Sequence, residues 1–150
     1  LGPSQLSGAD GDETSMETTE LTKNKEKGIF RCLTRGVIAC AIEVHRNLGP
    51  GLLESTYEQC LAHELALAGF EFSVQRSLPV LYKSVLLDCG YRVDLLVNEC
   101  LVLELKSVDH LTAVHEAQIL TYMKLAKAPV GLLLNFNVKL MHHGIRRFVL

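Results

Sequence analysis

The chain has no Cys-x-x-Cys pair, no long uninterrupted apolar run, no strong net charge and no internal repeat. Each absence removes a class of protein. Cys32, Cys40, Cys60, Cys89 and Cys100 form an odd set without the paired spacing of a zinc ribbon or an iron–sulfur cluster, so they read as free thiols in a reducing compartment. The apolar stretch from Gly28 to Val44 is interrupted by Arg31, Arg35 and Glu43, which suits neither a membrane span nor a signal peptide. A cytoplasmic location without membrane contact is the expectation. The formal net charge of −2 gives no global attraction to nucleic acid, although a local basic patch can still grip a phosphate backbone.

The charge is uneven. Residues 1–27 carry six acids and three lysines, leaving the remainder with 11 acids and 12 bases. That first segment is polar and rich in Ser, Thr and Gly, and shows no hydrophobic period. It is expected to be a disordered tail. Its opening Leu1-Gly2-Pro3-Ser4 has the composition of a cloning remnant, and Met16 is an alternative natural start. Residues 28–150 are expected to form one folded domain, with enough hydrophobic residues for a core.

Within that domain, Ile29, Leu33, Val37, Cys40, Ala41 and Val44 recur at helical spacing and predict a first helix that ends near Asn47-Leu48-Gly49. The Gly49-Pro50-Gly51 turn separates it from a second helix, Leu52 to Ala68, which Gly69 stops. A short strand (Phe70–Val74) and a hairpin follow, the hairpin pairing Leu78–Tyr82 with Val85–Leu87 around Lys83-Ser84. Two longer strands are predicted at Tyr91–Val97 and Leu101–Ser107. Thr112 caps a third helix, Ala113 to Lys127, that Pro129 helps to end. Val130–Phe136 reads as a buried strand and Ile145–Leu150 as an edge strand. The fold class is therefore α/β (α+β), a mixed central sheet flanked by helices.

The strand Val102-Leu103-Glu104-Leu105-Lys106 plants a carboxylate and an ammonium among leucines, both on one face because side chains alternate along a strand. Such groups are costly in an apolar setting unless they are paired or bind a metal. The upstream strand carries Arg92 and Asp94 in the same alternation. A two-residue loop would put Asp94 and Glu104 on opposite faces. A three-residue loop, Asn98-Glu99-Cys100, pairs Val97 with Leu101 and sets Asp94 opposite Glu104. Facing acids beside a lysine can hold a divalent cation and a water near a phosphodiester; structural salt bridges on a half-exposed sheet are the alternative.

Two helices add polar groups. His115, Gln118 and Tyr122 share a face of the third helix, where Gln118 and Tyr122 can hold a scissile phosphate or a flanking base and His115 can approach the metal or the phosphate. On the second helix, Gly51-x-x-Glu54-x-x-Tyr57 offers a glycine for close backbone approach, an acid in the first turn and a tyrosine that can buttress it. An ordinary solvated face and a core tyrosine are the alternatives. His142-His143, Arg146, Arg147, Lys124, Lys127, His45 and Arg46 are lesser candidates that turn, edge-strand and helix-dipole chemistry account for.

Taken in order, Leu48-Gly49-Pro50-Gly51-Leu52-Leu53-Glu54-Ser55-Thr56-Tyr57, Arg92-Val93-Asp94-Leu95-Leu96-Val97, Leu103-Glu104-Leu105-Lys106, the helix Val114 to Tyr122 and Asn135-Phe136-Asn137 resemble the GxxExxY proteins. That family sits within the PD-(D/E)XK nuclease superfamily, on its RecB-like side, and the resemblance runs from about Ile29 to Leu150. It implies a restriction-endonuclease-like core with Mg2+ (or Mn2+) as cofactor. Asp94 and Glu104 would be metal ligands with Glu54 as an auxiliary acid and third ligand, and Lys106 would orient or activate the water. Gln118 and Tyr122 would form the RecB-type helix motif. Apart from the resemblance, Tyr57, Arg92 and His115 are the candidate substrate contacts. The four-cysteine cluster of many RecB-like relatives is missing. A metal-dependent nuclease acting on DNA is the leading expectation. A catalytically inert nucleic-acid-binding or regulatory module is the alternative, a structural protein with a buried charge network is the third reading, and self-association into a homo-oligomer stays open.

Overall fold

The structure, a computed structural model, describes Gly2 and residues 11–150, with side chains from residue 15 onward. The cloning-remnant reading of residues 1–4 and the disorder expected of the first ten residues lie outside the described residues, apart from Gly2. The chain divides into two units, residues 1–33 and 34–150.

Helix α1 runs over Gly11–Leu48 and so begins well before the expected start near Gly28. Residues 15–29 are exposed, which is why no hydrophobic period announces this part. Thr19 and Thr22 donate their hydroxyls to the carbonyls of Ser15 and Thr18 one turn back. Ile29, counted with the buried face, is exposed, whereas Val37, Cys40, Ala41 and Val44 are buried.

In the second unit the elements follow as α2 (Glu54–Leu67), β1 (Phe72–Ser77), β2 (Val80–Tyr82), β3 (Val85–Leu87), β4 (Arg92–Val97), β5 (Leu101–Lys106), α3 (Ala113–Ala126), β6 (Val130–Asn135), a 3-10 turn (Met141–Gly144) and β7 (Ile145–Val149). A five-stranded sheet has the order β1-β4-β5-β6-β7, and β2 and β3 form a separate two-stranded sheet. Only β5 and β6 are parallel within the larger sheet, joined by α3; the other neighbours are antiparallel. This is a mixed α/β fold consistent with a restriction-endonuclease-like core. β5 is central and covered on both faces, so Leu101 to Leu105 are all buried, while the edge strands β1 and β7 are largely exposed.

Val102, together with Leu96 and Leu133 on the flanking strands, packs against Ile119, Tyr122 and Met123 of α3. The helix lies so close that a Cβ on Gly131 would meet Met123 Sδ at 2.6 Å. Glycine here sets the depth at which α3 docks. On the sheet's other side, α2 packs on β5, β1 and β4. Tyr57 of α2 is fully buried, and its ring stacks on Phe136 just beyond β6 with centroids 4.5 Å apart.

The link between α1 and α2 is built by Tyr57 as well. Its hydroxyl donates to the Gly49 carbonyl at 2.5 Å and accepts from the Leu52 amide at 3.2 Å. Gly51 adopts φ +94° with open space around it, so it serves a left-handed turn and not the close approach expected of it. Tyr57→Phe keeps the stack but strands a carbonyl and an amide. It should cost about 1–3 kcal/mol, seen as a lower urea midpoint at unchanged m-value.

Candidate active site

The register of β4 and β5 pairs Val97 with Leu101, Leu96 with Val102 and Leu95 with Leu103. A three-residue loop is therefore formed, in which Asn98 and Glu99 take positive φ and the Cys100 amide returns to the Val97 carbonyl at 3.1 Å. Asp94 comes opposite Glu104, as the parity argument demands. At this point the backbone ladder ends and carboxylates take over. The Asp94 amide donates to Glu104 Oε1 at 3.1 Å, and the Leu105 amide donates to Asp94 Oδ2 at 2.8 Å. Each acid thus satisfies an amide of the opposing strand, leaving its other oxygen for further contacts.

Lys106 Nζ donates to Gln118 Oε1 at 3.2 Å, and Gln118 Nε2 donates to the Tyr122 hydroxyl at 2.9 Å. The chain of bonds ties β5 to α3. Among the described residues no ion pair joins Lys106 to either acid, the described pairs being Arg46–Glu43, Arg76–Glu99 and Arg146–Glu116. Salt bridging does not explain the cluster.

Burial first, and then the charge of Asp94, push the Glu104 carboxyl up to about 8, while the Asp94 amide and Lys106 pull it down. Asp94 is also raised, mainly by burial and against the bonds from the Leu105 amide and Gln75. The Tyr122 phenol is raised by burial and by the nearby carboxylates of Glu104 and Asp94. Two acids held face to face, one buried and one half-buried, favour sharing a proton or taking a cation.

Glu54 borders this centre. Its Oε1 accepts from the Ser107 amide at 3.3 Å, and Ser107 Oγ donates to the Leu52 carbonyl at 2.7 Å, latching the start of α2 to the end of β5. Leu52, Leu53, Glu54, Ser55, Glu58, Gln75, Asp94 and Ser107 line a cleft of about 570 Å³. Among the described residues no three His, Cys, Asp or Glu side chains converge as a metal-binding group. Glu54 reaches the cleft wall and not a closed three-carboxylate cage with Asp94 and Glu104.

Of the three expected substrate contacts, Tyr57 and His115 have hydrogen bonds away from the cleft. Tyr57 is interior, with its hydroxyl used by the α1–α2 link and not by Glu54. His115 Nδ1 accepts from the Thr112 amide at 3.1 Å, committing the ring to the start of α3. Arg92 is exposed where β4 begins, opposite Ser77. Of the lesser candidates, His45 is buried with Nε2 at 2.7 Å from the Val138 carbonyl, and Arg146 is paired with Glu116.

Two cleft residues escaped the sequence. Gln75 Nε2 lies 2.7 Å from Glu58 Oε2 and 3.2 Å from Asp94 Oδ1, bridging the two acids, and its backbone has φ +51°. Burial raises the Glu58 carboxyl. Glu58 was within reach, one helical turn from Glu54 on the same face. Gln75 was not, because the strand prediction stopped at Val74.

The sheet and its facing acids define a nuclease-type core. Residues 31–148 match the profile of the PD-(D/E)XK nuclease superfamily that describes the GxxExxY proteins. The chain belongs to that family. No curated protein and no solved structure matches.

The raised acids have a consequence for stability. A carboxyl whose folded pKa exceeds its ordinary value binds its proton more tightly when folded. Glu104's stabilising contribution is complete below about 4.5 and is lost as pH rises through about 8. In chelator, unfolding free energy should fall across that window, by up to about 1.4 kcal/mol per pH unit for one proton. Glu104→Gln should flatten the slope. Denaturant titrations at several pH values measure it, and an unchanged slope in the variant would assign it elsewhere.

Proposed function

We propose that the protein is a divalent-metal-dependent nuclease that hydrolyses phosphodiester bonds in nucleic acid, with DNA as the substrate, in the cytoplasm. The observation that carries this reading is the facing pair Asp94 and Glu104, each hydrogen-bonded to the other strand, with Lys106 leading from the same strand to Gln118 and Tyr122. Membership of the superfamily supports it.

The donor set fits Mg2+ or Mn2+. Magnesium keeps several waters and uses one or two protein carboxylates together with substrate phosphate oxygens, a demand that two facing acids meet. Asp94 and Glu104 would hold the ion, with Glu54 as an auxiliary acid at the cleft wall. When bound, the ion supplies Lewis-acid polarisation and a more acidic water. Lys106 orients the nucleophile and stabilises charge developing on the phosphate. Gln118 fixes the Lys106 ammonium, and Tyr122 fixes Gln118; the pair also offers an amide and a hydroxyl to the phosphate or a flanking base.

A second reading, a nucleic-acid-binding module without turnover, draws on the same donor set, which is one carboxylate short of a closed cage. Cleavage of single-stranded, duplex and branched DNA in magnesium, with Asp94→Ala as control, separates the two. Lys106→Ala should lower cleavage by about 100-fold or more while calorimetric metal binding persists, since ammonium is not a ligand. Gln118→Ala and Tyr122→Phe should weaken substrate engagement at unchanged metal affinity. Wild-type cleavage by Lys106→Ala would overturn the mechanism, and binding without cleavage would favour the second reading.

A second expected outcome concerns the ion. Millimolar magnesium or manganese should raise the melting temperature of the wild type by mass action and do much less for Asp94→Asn. Equal shifts would count against a site built on Asp94.

A further inference from the structure

The β2–β3 hairpin has no part in the cleft, and its composition is unusual for a free surface. Its ladder pairs Val80 with Leu87, Leu81 with Leu86 and Tyr82 with Val85. Leu81 and Leu86 are 66% and 68% exposed, and Tyr82 and Val85 on the other face are 57% and 54% exposed. Both faces are thus apolar and open to water, and each strand has one unpaired edge because the sheet has only two strands. An isolated two-stranded ribbon of this kind is marginal in water, and an exposed apolar edge invites pairing.

The turn suits a tight hairpin. Lys83 and Ser84 both take positive φ, 46° and 65°, the arrangement that matches the twist of a two-residue hairpin. Lys83 Nζ lies 5.4 Å from the Tyr82 ring centroid, which keeps its charge at the tip. Between Val80 and Gly90 the only charged residues are Lys83 at the tip and Asp88 at the base. The ribbon has one positive and one negative pole with an apolar span between them.

We propose that this hairpin is the contact of a two-fold dimer, and that its occupant is the hairpin of a second copy of this chain. An isologous contact requires a patch complementary to itself. Antiparallel packing of two such ribbons sets each Lys83 against the partner's Asp88 and covers Leu81 and Leu86 with the partner's Leu81 and Leu86. A nucleic-acid or anionic-membrane surface calls instead for an excess of positive charge, whereas the two poles here cancel. Six strand residues fall short of the roughly 800 Å² per partner of a standard interface, so the dimer is weak and concentration-dependent. The inference does not rest on nuclease activity.

Sedimentation velocity of the full chain over a concentration series tests it. The wild type should pass from monomer to dimer. Leu81→Glu and Leu86→Glu should each weaken association at least tenfold while thermal melts show intact folding. Lys83→Asp should weaken it, and the double variant Lys83→Asp with Asp88→Lys should restore it, because the swapped poles again meet. A wild type that stays monomeric at several hundred micromolar overturns the proposal. So does a dimer insensitive to Leu86→Glu, failure of the folded charge swap to restore association, or a monomer whose binding to DNA or anionic vesicles depends on Leu81 and Leu86.

Discussion

Two carboxyl groups brought face to face at the end of a strand pair, Glu104 buried and Asp94 half-buried at the cleft, govern the rest of this architecture. β4 and β5 keep their ladder as far as Leu95 and Leu103, and beyond that point Asp94 and Glu104 each accept the amide that a ladder carbonyl would have taken. Neighbouring elements adjust to this substitution. Lys106 reaches α3 through Gln118 and makes no direct pair with the acids. Gln75 gives up ordinary strand geometry to send one amide between Asp94 and Glu58. A non-glycine residue at positive φ within a strand is costly and persists where its surroundings demand it. Here the demand is for a neutral donor that steadies two acids without neutralising either.

The same arrangement explains why the cluster is not an ordinary charge network. A buried pair of opposite charges settles its own electrostatics. Two like groups beside a lysine already engaged by an amide do not, and burial first, with the charge of Asp94 second, raises the Glu104 carboxyl. The raised Glu104 carboxyl lowers stability as pH rises toward neutrality.

Strand and helix positions were legible because each carries its period in its own residues. The facing of Asp94 and Glu104 was legible for a different reason: parity across a short loop is arithmetic, and only the three-residue loop brought the acids together. Illegible were the features that depend on a partner far away in sequence. The Tyr57 hydroxyl finds the Gly49–Leu52 link instead of Glu54, and His115 closes the start of its own helix instead of turning to the cleft. Periodicity assigns a face but cannot choose among hydrogen-bond partners on that face. The N-terminal half of α1 was missed because a helix exposed all round offers no apolar stripe to count.

The Gly-x-x-Glu-x-x-Tyr segment therefore divides into two parts. Gly51 and Tyr57 build a turn: one supplies a left-handed backbone, and the other anchors the turn to the core through Phe136 and ties down its carbonyl and amide. Glu54 is the member whose carboxylate lines the cleft, and it is held there by the Ser107 amide at the end of the strand that carries Glu104 and Lys106. The spacing places Glu54 and Tyr57 one helical turn apart, so a ring locked in the core fixes the rotation of α2 and with it the direction of the glutamate. A residue with no exposed surface thereby sets the geometry at the cleft.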